Sequence, residues 1–285
     1  MNRARSIIKS SRSKATIEGA GVHLKRAFGF GSEHEYDPFL LLDDFRSNRP
    51  EYYLSGFPFH PHRGIETITY VLKGKVEHKD SMGNSGIIGE GDVQWMTAGS
   101  GIIHQEMPEG NETGEMEGFQ LWANLPAKFK MIPPRYREIK SQDIPEVTLD
   151  NGVKIRVICG TVENMDGPVK DVIIAPEYLD ITVPAFSRYV HLTPPANTVF
   201  CYVISGKGIF SEEKPEKYSE NETLLLFNSG EYLEIKTGEM DVRFLLVSGK
   251  PLNEPIAWYG PIVMNTPIEL EKAFYEYQNG TFLKL

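Results

Sequence analysis

The chain has 285 residues, with 30 Lys and Arg against 39 Asp and Glu, a formal net charge of −9 and a sequence pI near 5.4. That balance argues against a basic face of the kind that neutralises nucleic-acid phosphates, and no apolar run approaches the roughly 20 residues of a membrane-spanning helix. A length above the usual single-domain size, frequent Gly and Pro, and short β-branched and aromatic runs point to an all-β chain of two domains, each large enough for its own core.

The first fourteen residues, "MNRARSIIKSSRSK", are basic and serine-rich. Ile7-Ile8 is far shorter than the roughly 7–15 residues of a secretory h-region. The segment is expected to be a flexible or edge-strand N-terminus. Residues 15 to 30 alternate as a strand and lead into the Gly-rich turn "GFGSEHEYDPF". His23 and His34 there are expected at the surface or in turns. "PFLLLDDF" has the length of a buried strand, closed by Asp43 and Asp44, which are expected at a turn or solvent edge because immediate neighbours on a strand face opposite ways. Arg46 to Pro58 reads as a loop punctuated by Asn48, Pro50, Gly56 and Pro58. Its Tyr52, Tyr53 and Phe57 either contact a substrate or pack the loop down.

The stretch with chemistry in it runs from Phe57 to Glu106. "FPFHPHRGIETITYVLKGK" supplies His60 and His62, and "GEGDVQWMTAGSGIIHQE" supplies His104 and Glu106. Side chains two apart on a strand share a face, so each pair projects together. A His-x-His alone is commonly an ordinary strand pair. Here strand-like "ETITYVLKG" and turn-rich "DSMGNSG" lie between the pairs, the order expected when hairpins bring both to one wall. Facing pairs make a four-ligand pocket of imidazoles and a carboxylate. Such a donor set suits Fe, Mn, Ni, Cu or Zn better than Ca or Mg and leaves positions open for substrate or dioxygen. By parity alone Glu66, four beyond His62, is a rival for the carboxylate position.

Beyond "MPEGNETGEMEG", "FQLWANL" alternates as a strand, with Gln120, Trp122 and Asn124 on one face. Ala127 to Pro145 is polar and carries prolines 133, 134 and 145, as a connection between domains would. A repeat follows. "TVFCYVISGK", Thr198 to Lys207, matches "ETITYVLKGK", Glu66 to Lys75. Aligning Gly74 with Gly206 sets Leu192 and Pro194 opposite His60 and His62, and His104 falls near Glu234 or Ile235. The second barrel has therefore lost the ligands, and lone His191 is read as lacking partners for a second site. Cys159 and Cys201 sit in apolar runs, as buried thiols of a reducing compartment, so the expected location is the cytoplasm, with the nucleus an alternative in a eukaryote. "PIELEKAFYEYQNG" is the clearest helix, with Thr266 as N-cap, Pro267 at the first helical position and Glu269 completing a capping box. Leu270, Phe274 and Tyr277 form an apolar stripe expected to pack onto a barrel. The division is thus 1–132 for a metal-binding barrel, 133–146 for a linker and 147–285 for a degenerate barrel with the C-terminal helix.

The same residues resemble the cupin signature: Gly56, His60, His62, Glu66 and Gly74 form its first motif, and Gly91, Thr97-Ala98-Gly99 and His104 its second. Thr97 stands where many cupins have proline. More narrowly, "DPFLLLDDF", "HPHRGIETITYVLKG", "GDVQWMTAGSGIIHQE", Phe119 to Pro126 and "GPIVMNT" resemble the pirin family, in order and across nearly the whole chain. That resemblance implies two jelly-roll barrels, with the tail returning to the first. It also implies His60, His62, His104 and Glu106 as metal ligands, with Glu66 off the metal, and a first-barrel pocket touched by Phe57, Gln120 or Trp122. It further implies Fe(II), with Mn, Ni, Cu or Zn as alternatives, and cleavage of a flavonol such as quercetin, or another polyphenol or enediol, with O2. Glu106 would then be the catalytic base. The alternative that the family carries is a non-enzymatic, metal- or redox-dependent binding protein acting on a transcription or metabolic partner, without direct DNA contact.

Overall fold

A computed structural model describes residues 3–211 and 217–284. Met1 and Asn2 of the basic N-terminal stretch lie outside the described residues. The chain forms two compact units that are discontinuous in sequence. One comprises the chain up to Ser13, Tyr36–Pro38 and Gln142–Pro251; the other comprises Lys14–Glu35, Phe39–Ser141 and Leu252–Leu285. Strand prevails in both, because β-branched and aromatic residues recur at the two-residue period that buries one strand face.

The unit built on Phe39–Ser141 stacks two antiparallel sheets as a jelly roll. Its seven-stranded sheet runs Arg135–Ile139, Val93–Thr97, Ile65–Lys73, Glu117–Asn124, Phe39–Asp44, Val22–Phe28 and Lys14–Glu18. Its four-stranded sheet runs Phe57–His62, Ile102–Glu109, Lys75–Asp80 and Ser85–Ile88. The sheets are open at their edges and do not close into a continuous barrel. Ile65, Ile68, Tyr70 and Val71 are fully buried, as expected for a strand central to its sheet.

Three sequence expectations shift here. Arg135–Ile139, inside the segment read as the 133–146 linker, pairs with Val93–Thr97 as a sheet strand. Asp43 and Asp44 are not at an edge. Both lie within Phe39–Asp44 and are 5% and 2% exposed, because Arg26 and Arg46 pair with their carboxylates. The C-terminal helix Pro267–Gln278 belongs to this unit and not to a continuous 147–285 domain. Its capping box is formed as the sequence suggests. Of its predicted stripe, Leu270 and Phe274 pack beside Ala273, Ile262 and Phe282, while Tyr277 is 39% exposed.

Two buried basic side chains fasten that tail within the unit. Arg63 donates to Glu276 at 2.7 Å and to the Phe282 carbonyl at 2.6 Å. Lys130 Nζ donates to Asn124 and to the Gly64 and Val263 carbonyls, all within 3.0 Å. Gly64, at φ +80°, lies so close to the tail that a Cβ would meet the Val263 carbonyl oxygen at 2.0 Å.

The other unit has its own apolar core, with Ile155, Leu179, Val199, Phe244 and Leu246 each completely buried. Ile7–Arg12 is an edge strand there, paired with Thr223–Phe227. Arg188–Leu192 pairs with Tyr232–Lys236, Val190 opposite Glu234. This repeats the way Phe57–His62 pairs with Ile102–Glu109, His60 opposite His104. At the repeat's positions the chemistry is consumed internally, Arg188 and Lys236 pairing with buried Glu234. His191 is in no metal-capable group among the described residues, and its ring instead hydrogen-bonds, joining the Tyr189 hydroxyl at 2.8 Å to Glu177 at 3.0 Å. Cys159 and Cys201 are buried and form no disulfide. Among the described residues no helix is long and apolar enough to cross a membrane.

Candidate metal centre

Phe57–His62 is an edge strand, which explains how "FPFHPH" can be a strand at all: Pro58 and Pro61 lack a ladder donor, and an edge requires donors on one side only. His60 and His62, two apart, share its inner face. Ile102–Glu109 lies alongside, placing His104 directly opposite His60. A register shift between His104 and Glu106 then sets Glu106 opposite Phe57.

The three imidazoles converge. Ring centroids are 4.5 Å apart for His60 and His104, 4.8 Å for His60 and His62, and 5.1 Å for His62 and His104. One potential ligand atom from each lies within 4.8 Å of the others, and among the described residues this is the group of His, Cys, Asp and Glu side chains so arranged. His60 Nδ1 is 2.9 Å from the Pro58 carbonyl and His62 Nδ1 is 3.1 Å from the Pro261 carbonyl. With each Nδ1 donating to a carbonyl, each Nε2 presents a lone pair, yet the two Nε2 atoms stand 3.0 Å apart. Two lone pairs at that distance repel unless a proton or cation lies between them. His104 is 1% exposed, and neither of its ring nitrogens meets a hydrogen-bonding partner. These features fit a resident metal cation.

Burial, reinforced by neighbouring imidazoles, holds His62 and His104 well below the usual histidine range. Both are therefore neutral, ligand-competent rings at physiological pH. Glu106, 4% exposed, is outside that group of three but lines the same cavity as His60 and His62, where Thr69 Oγ1 and Gln120 Nε2 each donate to its carboxylate at 3.0 Å. Gln120 is oriented in turn by Trp122 Nε1, which donates to its side-chain Oε1 at 3.1 Å. The Trp122 ring stands edge-on to His62, with centroids 5.0 Å apart.

Glu66 faces elsewhere. It lies three residues before Thr69 on a regular strand, hence on the opposite face. Its carboxylate accepts from Thr97 Oγ1 at 2.6 Å and Trp95 Nε1 at 3.0 Å. Burial raises its pKa.

His60 and His62 open onto a cavity of about 410 Å³, with His104 buried behind them. Phe57, Gln120 and Trp122 line it, as do His60, His62 and Glu106. Tyr52 and Tyr53 do not. Tyr52 stacks on His23 with centroids 4.2 Å apart, and Tyr53 is 2% exposed, its hydroxyl donating to Gly114. His34 sits exposed in the short helix Glu33–Tyr36.

Residue-level sequence reading missed the Pro261 carbonyl, Trp258 and the Arg26–Asp43 pair, all at this cavity. "GPIVMNT" stood out as a block, but nothing in it marks a carbonyl aimed at a histidine. The available signal for Asp43 was the unbroken continuation of the apolar run "FLLL" into "DD" with no turn residue between them.

The sequence matches the pirin family over residues 21–123 and the pirin C-terminal cupin domain over residues 178–283. The chain belongs to the pirin family. This pirin is 43% identical to a Pseudomonas aeruginosa protein named "Putative quercetin 2,3-dioxygenase", over 98% of this chain and 99% of that one. A crystal structure of quercetin 2,3-dioxygenase from Acinetobacter baumannii superposes with a TM-score of 0.89 at 32% identity, covering 98% of each chain. A bacterial pirin from Escherichia coli, solved in complex with nickel(II), shares the fold with a TM-score of 0.65 at 22% identity, over 85% of this chain and 99% of that one. Two cupin domains with a short C-terminal helix are the family architecture of this pirin.

Proposed function

We propose that this pirin is a mononuclear metal-dependent dioxygenase of the quercetin 2,3-dioxygenase type, with His60, His62, His104 and Glu106 as ligands and iron(II) as the metal. The observation that carries the reading is the convergent histidine cluster, two of whose rings, His60 and His62, line an open cavity of about 410 Å³. A metal serving only as a structural clamp or buried switch has no use for such a space. The names of the P. aeruginosa and A. baumannii relatives support the same reaction class.

A divalent metal held there supplies Lewis acidity toward a substrate hydroxyl and a centre at which dioxygen can react. The protein's own residues do the rest. Glu106 accepts the proton that the substrate hydroxyl loses, and Thr69 and Gln120 hold its carboxylate in position for the transfer. Trp122 and Phe57 offer apolar surface to an aromatic substrate and limit water. The Pro58 and Pro261 carbonyls fix the ring orientations of His60 and His62. Mn, Ni, Cu and Zn suit the same donors, so cellular supply contributes to which metal resides. Two buried thiols without a disulfide support a cytoplasmic location.

The test is O2 uptake by anaerobically purified, Fe(II)-loaded protein on adding quercetin. Uptake is expected in the wild type and absent in His104→Ala. A wild type that carries one metal per chain yet takes up no O2 would overturn this reaction and favour a metal-dependent binding role.

A further inference from the structure

The cavity floor is a stretch of the seven-stranded sheet with two parallel lanes of side chains. Direct cross-strand partners share a face, and Thr69 is opposite Gln120, Gln120 opposite Asp43, and Asp43 opposite Arg26. These four residues on four adjacent strands make a polar lane. Two residues along, Trp122 opposite Leu41 makes an apolar lane, about 7 Å from the first. Both lanes line the cavity through Gln120, Asp43, Arg26, Trp122 and Leu41. Glu106, from the facing sheet, bonds Gln120 at one end. Arg26 lies two strand spacings farther out, about 10 Å.

At that outer end Arg26 is bonded to two carboxylates. Its Nε and Nη2 donate to the two oxygens of Asp43 at 2.8 and 2.7 Å, and its Nη1 donates to Glu18 at 2.8 Å. One cation facing two carboxylates leaves a net charge of −1. Burial pushes the Asp43 carboxyl up to about 6, and its partnership with Arg26 keeps it ionised at neutral pH. Each carboxylate oxygen has lone pairs beyond those Arg26 uses. The outer end can therefore take hydrogen-bond donors and repels anions.

We propose that the cavity selects a flat, uncharged polyphenol lying lengthwise, its rings on the Trp122–Leu41 lane and a distal hydroxyl donating to Asp43, the specificity-determining residue. This rests on the dioxygenase reading for which end of the molecule meets the histidines. It adds the chemistry of the other end: phenolic hydroxyls are selected, and carboxylated or phosphorylated aromatics are excluded.

The experiment is a tryptophan-fluorescence titration of Zn(II)-loaded protein under anaerobic conditions, so that no O2 is present for turnover, with quercetin, with galangin, which lacks the hydroxyls of the distal phenyl ring, and with a flavone carrying a carboxylate on that ring. A hydrogen bond to a charged acceptor gives quercetin an advantage of about tenfold or more over galangin. The carboxylated flavone is expected to bind more weakly than galangin. Asp43→Asn should erase most of the quercetin advantage. Glu18→Gln, at a side chain 41% exposed, should keep the fold and relieve the exclusion of the carboxylate. Equal wild-type affinities for the two flavonols, an advantage unchanged in Asp43→Asn, or no binding of either flavonol would overturn the proposal. Should Asp43→Asn fail to fold, the wild-type ranking and Glu18→Gln still decide it. The two readings separate cleanly: the ranking without O2 uptake sinks only the dioxygenase assignment, and O2 uptake without the ranking sinks only this one.

Discussion

Two glutamates within one motif-rich stretch have opposite surroundings. Strand parity places both Glu66 and Glu106 on faces a histidine also uses, so spacing alone leaves either one for the cavity. What separates them is hydrogen bonding. Glu66 satisfies the Trp95 indole and the Thr97 hydroxyl in the core, whereas Glu106 is held by Thr69 and Gln120 at the cavity. Glu66→Ala should therefore lower the unfolding free energy by about 3 kcal/mol, since it strands buried donors. Metal content should stay at the wild-type level, as measured by urea denaturation alongside metal analysis. Glu106→Ala also leaves Thr69 and Gln120 without their acceptor and should cost some stability, but it differs from Glu66→Ala in that O2 uptake is lost. Thr69→Val, nearly isosteric, removes one donor to Glu106. It should cut kcat about fivefold, the effect of one hydrogen bond of ordinary strength.

At the scale of elements, the metal-side geometry depends on a segment two hundred residues away in sequence. The hairpin of Ala257–Tyr259 and Ile262–Met264 presents the Pro261 carbonyl to His62, and Arg63, Lys130 and the helix Pro267–Gln278 hold that hairpin in place. Arg63 is 2% exposed, so removing its charge leaves Glu276 and the Phe282 carbonyl without it. Arg63→Met should lower Tm. It should also weaken Zn(II) binding about tenfold in equilibrium dialysis, the usual effect of losing a group that orients a ligand. Gly64→Ala should act in the same direction through sterics, because its Cβ would collide with the Val263 carbonyl at a left-handed φ. Helix and capping box were legible in the sequence, since both are local. Their docking was legible only through family resemblance, because the residues that receive the helix are remote in the chain.

For the whole molecule, the buried histidines link stability to pH. His62 and His104 are held below 6.5 in the folded chain, first by burial and then by neighbouring charge, whereas the unfolded chain takes up their protons near 6.5. The unfolded state thus binds more protons as the pH falls below that value. The metal-free protein should keep a level Tm above about pH 7 and lose stability toward pH 5, by up to about 1.4 kcal/mol per pH unit for each histidine. Zn(II) should shift that loss to lower pH, because protons and metal compete for the same nitrogens. Thermal melts of both forms across this range check it, and His62→Ala should flatten the slope.

The β class, the repeat, the two spaced pairs and the capped helix were all legible in the chain alone, because periods of two and of 3.6 residues and terminal caps are local properties of the backbone. The sequence also carried the family through ordered blocks of residues. Only the tertiary structure decided that Glu66 turns into the core and that Asp43 is buried against Arg26. The same holds for the strand within the supposed linker and for the Pro261 carbonyl that steers His62. Each depends on a partner brought close by sheet pairing or tail docking, and such contacts leave no period in the sequence.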